Sequence, residues 1–174
     1  MSQRDPLLAI MNCSIDQMRA SDWEQVSSIY LEGIRSGHST FETIIPTWEQ
    51  WDAGHLPFAR LVIRNGDVVL GWAALSPTSR RHVYRGVAET TVYVKEDQRG
   101  KGLGRALLEA LIAESEKNNI WTLQASIFPE NTASLELHLH CGFRKIGRRE
   151  RIAQLNSLWR DTLLLERRSS TVGV

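Results

Sequence analysis

Apolar residues recur at Trp23, Val26, Ile29, Tyr30 and Ile34, a spacing of three and four that predicts one amphipathic helix capped by Ser21 or Asp22 and ended by Gly37. Pro46 opens a second, short helix through Trp48, Trp51 and Leu56. The pattern then changes period. Leu61 to Ile63 and Val68 to Leu70 flank Asn65-Gly66-Asp67, and Asn-Gly favours the positive backbone angles of a hairpin turn. The second of these strands runs on through Trp72 to Leu75, and Val87 to Val94 follows as another strand. Between Gly102 and Lys117 the positions Leu103, Ala106, Leu107, Ala110, Leu111 and Ala113 trace one helical face, which Asn118-Asn119 stops. Ile120 to Phe128 predicts a strand, Asn131 to His140 a short helix ended by Gly142, and Phe143 to Glu166 two strands joined near Asn156-Ser157. Weak alternation over Ser14 to Met18 adds a first strand. Antiparallel strands followed by a strand-helix-strand unit predict an α+β fold, a mixed α/β sheet with helices on both faces.

Length and charge narrow the classes. A chain of 174 residues suits one domain, here 14–168, with an N-terminal arm over 1–13 and a tail over 169–174. Its 21 basic and 20 acidic side chains leave no net field for nucleic acid or anionic lipid. The longest apolar stretches, Val68 to Leu75 and Ala106 to Ala113, fall far short of the about 20 residues of a spanning helix. Cys13 and Cys141 read as free thiols, and the opening residues lack a small-residue cleavage site, so the expectation is a cytoplasmic protein. The five histidines lack metal-ligand spacing; His138 and His140 diverge on a helix, and no metal is expected. The six tryptophans read as core and wall packing. Arg148 to Arg151 and Arg167-Arg168 read as solvated charge.

Candidate chemistry gathers at Arg99-Gly100-Lys101-Gly102-Leu103-Gly104, between a strand and a helix. There backbone N–H groups at the helix N-terminus point outward to an anion, glycines let the oxygens come close, and Arg99, Lys101 and Arg105 add charge. A dinucleotide fingerprint needs a small residue where Leu107 stands. A triphosphatase loop needs Ser or Thr where Gly102 stands. Glu89, at the start of the Val87 to Val94 strand, is either a proton acceptor or the ion-pair partner of an arginine in the preceding loop. That loop, Ser76 to Arg85, holds Arg80, Arg81 and Arg85, any of which could bind a carboxylate or phosphinate in bidentate fashion or remain solvated.

What does fit the glycine turn is Arg/Gln-x-x-Gly-x-Gly/Ala, met by Arg99, Gly102 and Gly104, which resembles the coenzyme A signature of the GNAT superfamily of N-acyltransferases. Asn131-Thr132-Ala133-Ser134 with Leu137-His138 and Gly142-Phe143 resembles that superfamily's second conserved region. Trp48-Glu49, Tyr84 to Glu89, Val92-Tyr93-Val94, Ile127 to Asn131 and Trp159-Arg160-Asp161 are similar to its phosphinothricin and methionine sulfone/sulfoximine acetyltransferase branch. The resemblance runs from about Ile15 to Arg168.

It implies a twisted sheet of about seven strands with a splayed parallel pair, Val87 to Val94 and Ile120 to Phe128, that receives the pantetheine arm of acetyl-CoA. Val92, Tyr93 and Val94 would meet the thioester and arm. Arg99 and Gly100 through Arg105 (Gly100, Lys101, Gly102, Leu103, Gly104, Arg105) would hold the pyrophosphate, and Asn131 and Ser134 the arm. A backbone N–H near Val94 would stabilise the oxyanion, worth about 2.7 to 4 kcal/mol per donor. Glu89 would be the general base, directly or through water, and His138 the acid that protonates the leaving thiolate, although a histidine there also packs beside the coenzyme. Substrate contacts would come from Ser79, Arg80, Arg81, Arg85, Glu89, Thr90 and Thr91, with Phe41 and Thr43 as the opposite wall. Leu75-Ser76-Pro77-Thr78-Ser79 stands where some relatives carry aromatics, which leaves the amino acid open. The implied reaction is acetylation of the α-amine of phosphinothricin, methionine sulfoximine or methionine sulfone by a homodimer. Alternatives are a protein or peptide N-acetyltransferase and a non-catalytic acyl-CoA sensor.

Overall fold

The computed structural model describes residues 12–174. Of the expected arm over 1–13, all but Asn12 and Cys13 lie outside the described residues. The chain forms β1 (Ser14–Gln17), α1 (Trp23–Ser36), α2 (Trp48–Gly54), β2 (Leu61–Asn65), β3 (Val68–Pro77), β4 (Val87–Val94), α3 (Leu103–Lys117), β5 (Thr122–Ile127), α4 (Thr132–His140), β6 (Arg144–Leu155) and β7 (Leu158–Arg168). The strands make one seven-stranded sheet in the order β1-β2-β3-β4-β5-β7-β6. Every neighbouring pair is antiparallel except β4 with β5. The fold is mixed α/β, as the pattern predicted.

Strand alternation sorts the core into two layers. Leu103, Leu107, Leu108 and Leu111 of α3 and Leu135 of α4 pack on Leu61, Ile63, Ala73, Leu75, Ala88, Leu123, Ala125 and Leu165. The opposite face is covered by Val26 and Ile29 of α1 and Trp51 of α2, against Val62, Trp72 and Ala74. Helices therefore cover both faces of the sheet. The aromatic rings concentrate in the second layer, where Trp51 meets Trp72 edge-on at 5.7 Å and Trp72 stacks on Tyr93 at 5.1 Å. Trp159 is different: it is 58% exposed, so the expectation of packing fails for that one tryptophan.

Local chemistry sets the element ends. Thr47 caps α2, accepting the Gln50 N–H, while Gln50 Oε1 accepts the Thr47 N–H. The helix stops at Gly54 and leaves Leu56 beyond it, shorter than expected. Asp22 stands at the N-cap of α1, but a 3-10 turn over Ala20–Asp22 precedes it, and its carboxylate turns back to the Arg19 N–H (2.8 Å) and Arg64 Nη2 (3.0 Å). Gly37, at φ 70°, ends α1 in the left-handed region. Asn156 and Ser157, at φ 50° and 66°, make the tight turn between β6 and β7. The arginines read as solvated are mostly engaged: Arg148 with Asp161, Arg167 with Glu116, and Arg168 with the Trp121, Ser169, Val172 and Gly173 carbonyls. The last residues thereby fold back against Trp121.

Candidate active site

β4 and β5 are in register only over Val87 to Glu89 against Thr122 to Gln124. Past Glu89, β4 stays paired with β3 as far as Val94, but its other edge parts from β5. The main-chain groups of Thr90 to Val94 on that edge face an opening rather than a strand. This is the splayed parallel pair, and a cavity of about 500 Å³ fills the gap. Its walls include Phe41, all of Glu89 to Val94, Arg99, Gly100, Gly102 to Gly104, Asn131, Ser134 and His138.

At the outer end of the cavity α3 begins. Gly100 and Gly102 sit at φ 74° and 82°, in the left-handed region that a side chain resists. The first helical turn is closed by Ala106 N–H on Gly102 O at 3.1 Å. The N–H groups of Leu103, Gly104 and Arg105 thus have no carbonyl within the helix and are available to an anion. Asn131 caps α4 by accepting the Ser134 N–H at 3.2 Å, which fixes both residues at the cavity wall.

The two proton-bearing candidates sit on opposite faces of β4. His138, 4% exposed, brings Nε2 to 3.3 Å from Thr90 Oγ1 on the α3/α4 face. Glu89 precedes Thr90 in the strand and faces the other way, with Thr91 and Tyr93, toward α1. The His138 Nδ1 lies 2.8 Å from the Ser134 carbonyl, which can only accept, so Nδ1 carries the hydrogen and Nε2 of the neutral ring is an acceptor. Burial pushes the His138 pKa down, against a smaller upward pull from that carbonyl. The Thr90 hydroxyl has one proton and two acceptors in reach, His138 Nε2 and Gln124 O at 3.2 Å.

On the Glu89 side the wall is aromatic. Phe41 meets Phe128 edge-on at 4.8 Å, and the Arg160 guanidinium lies 4.3 Å over the Phe128 ring. Arg160 also donates to Gly37 O (3.0 Å) and Glu130 Oε2 (3.3 Å), tying the loop after α1 to β7. Tyr93 donates to Ser39 O at 3.3 Å, and burial holds its phenol far above the ordinary value, so it stays protonated.

The sequence model of the acetyltransferase (GNAT) family matches residues 20–143. The chain belongs to the acetyltransferase (GNAT) family. Over 169 residues it is 34% identical to a phosphinothricin N-acetyltransferase of Alcaligenes faecalis, covering 92% of this chain and 84% of that protein. It is 37% identical over 98 residues to an L-methionine sulfoximine/L-methionine sulfone acetyltransferase of Pseudomonas aeruginosa, 56% of this chain and 57% of that one. Among solved structures, a phosphinothricin acetyltransferase from Sinorhizobium meliloti in complex with AcCoA superposes with a TM-score of 0.83 over 94% of this chain and 91% of its own, at 24% identity. That likeness establishes the fold.

In this acetyltransferase several expected site residues lie away from the cavity lining. Lys101 reaches back to Asp97 O (3.0 Å) and Gln98 Oε1 (2.8 Å), bracing the preceding turn. Arg105 runs along α3 to Glu109 at 2.7 Å. In the β3–β4 loop Arg81 lies over Tyr84, Arg85 over Trp121, and Ser79 Oγ accepts the Arg81 N–H. Arg80 and Thr43 are exposed, and none of these seven lines the cavity. Among the described residues no arginine of that loop pairs with Glu89. The sequence reading missed Tyr30, Ser39, Thr40, Ser126 and Thr162, all at the cavity. Ser126 and Thr162 left no signal of their own: β5 also carries Thr122 and Gln124, and β7 carries Arg160, Asp161, Glu166, Arg167 and Arg168.

No helix among the described residues is long and apolar enough to cross a membrane. Among the described residues there is no group of three or more His, Cys, Asp or Glu side chains that could hold a metal ion.

Proposed function

We propose that this acetyltransferase moves the acetyl group of acetyl-CoA onto the α-amine of compact amino-acid-like acceptors, of the kind represented by phosphinothricin, methionine sulfoximine and methionine sulfone. The observation that carries the reading is the position of Glu89. It is the last β4 residue in register with β5, and its side chain enters the cavity where the strands part. A carboxylate there can accept a proton from an ammonium as it becomes a nucleophile, directly or through one water.

Acetyl-CoA, when bound, supplies an activated acetyl thioester. The chain fits it at two places: the N-terminus of α3 offers free N–H groups to a pyrophosphate, and the free edge of β4 offers N–H and C=O groups to amides. An N–H near Val94 is the candidate oxyanion donor. His138 lies across β4 from Glu89, so proton removal from the incoming amine and proton delivery to the departing sulfur occur on opposite sides of the strand. In the acid role, His138 gives up a proton at Nε2 and keeps the Nδ1 bond to Ser134 O. Val92, Tyr93 and Val94, Arg99, Gly100, the N–H groups of Leu103 to Arg105, Asn131 and Ser134 complete the donor site; Phe41 and Thr91 wall the acceptor site. The enzyme works in the cytoplasm as a homodimer, with the exposed Ile152, Leu158 and Trp159 of the β6–β7 hairpin at the partner.

Release of free thiol from acetyl-CoA, measured against a panel of amines, tests the reading. Release with the three named amino acids is expected. Release only with peptides would make it a peptide acetyltransferase, and no release with any amine would make it an acyl-CoA sensor.

A further inference from the structure

An arginine of β6, rather than one of the β3–β4 loop, carries positive charge to the acceptor side of the cavity. Arg149 donates from Nε to Thr162 Oγ1 at 3.1 Å and from Nη2 to Ser126 Oγ at 2.5 Å. Both Ser126 and Thr162 line the cavity. A hydroxyl has two lone pairs and one proton. Each of these accepts the guanidinium hydrogen on a lone pair, which leaves its own proton to donate. Neither hydroxyl has another partner among the described residues, and Thr162 is only 2% exposed. The cavity thus meets two O–H donors polarised by a cation.

The surrounding chain is built to leave Arg149 uncompensated. Asp161 takes Arg148 Nε at 2.7 Å and the Arg151 N–H at 2.8 Å. The pairing of β6 with β7 slips between Arg149 and Ala153, with Arg151 at φ 48°, and such a bulge re-aims side chains. Among the described residues Arg149 has no carboxylate partner. A half-buried guanidinium in that state calls for an anion from outside the chain.

Position identifies the anion. In β5, Leu123, Ala125 and Ile127 belong to the α3 layer, so Gln124 and Ser126 face the Glu89 side. Gln124 is the register partner of Glu89, and Ser126 lies two residues further, about 7 Å along the strand. An amine held at Glu89 and a carboxylate held at Ser126 span that gap when a single carbon joins them. We propose that Ser126 and Thr162, charged through Arg149, form the subsite for the α-carboxylate of the acceptor. The proposal rests on the amino-acid reading above and names what selects that substrate class.

Calorimetric binding of L-methionine sulfone and of its α-carboxamide, to wild type and to Arg149→Met, Arg149→Lys and Thr162→Val, separates the two ideas because it needs no turnover. Arg149→Met is expected to weaken the carboxylate about 10- to 100-fold, the worth of a hydrogen bond to a charged group, and to leave the carboxamide unchanged. Thr162→Val should lose about 10-fold for the carboxylate only, and Arg149→Lys should fall between the two Arg149 states. Equal effects on both ligands, or wild type binding the carboxylate no better than the carboxamide, would overturn the subsite. Carboxylate binding that depends on Arg149, without acetylation of any amino acid, would leave the subsite standing and overturn the transfer reading instead.

Discussion

Glu89 and His138 are one strand thickness apart in chemistry and opposite in environment. Glu89 is partly exposed at the cavity and free of the arginines that precede it in sequence; His138 is buried, neutral and fixed by the Ser134 carbonyl. Replacing Glu89 by Gln keeps the shape and removes the basic group. Turnover at neutral pH should fall by about 10²- to 10⁴-fold while acetyl-CoA affinity stays within about twofold; steady-state rates beside a coenzyme titration check this. His138 serves as an acid only when it is cationic. Burial holds its pKa below the ordinary 6.5, so the basic limb of the kcat/KM profile should lie below pH 6.5 and vanish in His138→Ala. A basic limb that the substitution leaves in place would assign the acid elsewhere.

At the scale of elements, two glycines that look alike in the signature have different jobs. Gly102 caps α3 at φ 82°, where any L side chain strains the backbone by about 1 to 2 kcal/mol. Gly104 has helical geometry, and a Cβ on it would stand 3.4 Å from Leu137 Cδ2 and 3.6 Å from Val94 Cγ2, ordinary contact. Gly102→Val should therefore raise the KM for acetyl-CoA about 5- to 30-fold without altering the amine KM, whereas Gly104→Ala should change neither by more than about twofold. Initial rates with each substrate varied in turn will distinguish them. The bulge in β6 makes the complementary point: Arg148 and Arg149 are adjacent in sequence, yet one meets Asp161 at the surface and the other reaches Ser126.

Across the whole molecule, buried histidines set the acid side of stability. His138 and His55 are both pushed down by burial, so the fold keeps them neutral while an unfolded chain binds protons below about pH 6.5. The unfolded state then holds more protons, and stability drops as pH falls through that value. Glu116, held below the ordinary range chiefly by a hydrogen bond from Arg167, and Glu130, held there chiefly by its own backbone N–H, act later: their stabilisation is lost only as pH falls below 4.5. Thermal melts should show the midpoint declining between pH 7 and 5, and His55→Gln/His138→Gln should flatten that interval without removing the fall below pH 4.5. At the surface, Leu158 and Trp159 are 68% and 58% exposed on one hairpin. If the proposed homodimer forms through this hairpin, Trp159→Glu should shift it to monomer in sedimentation equilibrium, with the monomer's helical signal unchanged.

The sequence by itself determined what depends on neighbours along the chain. Among the described residues, periodicity placed the seven strands and four helices to within a few residues, because amphipathic spacing and glycine or asparagine stops are local properties. The glycine turn, Asn131 and Ser134 were legible for the same reason: a helix N-terminus and its cap are written in consecutive residues. Tertiary structure alone decided which side chains complete the acceptor side of the cavity. Arg80, Arg81 and Arg85 are close to Glu89 in sequence and turn elsewhere, while Arg149, Ser126 and Thr162 come from three strands that meet only through the order β5-β7-β6. A side chain's reach across strands is fixed by register and bulges, and those are settled by pairing between distant segments rather than by the pattern within any one of them.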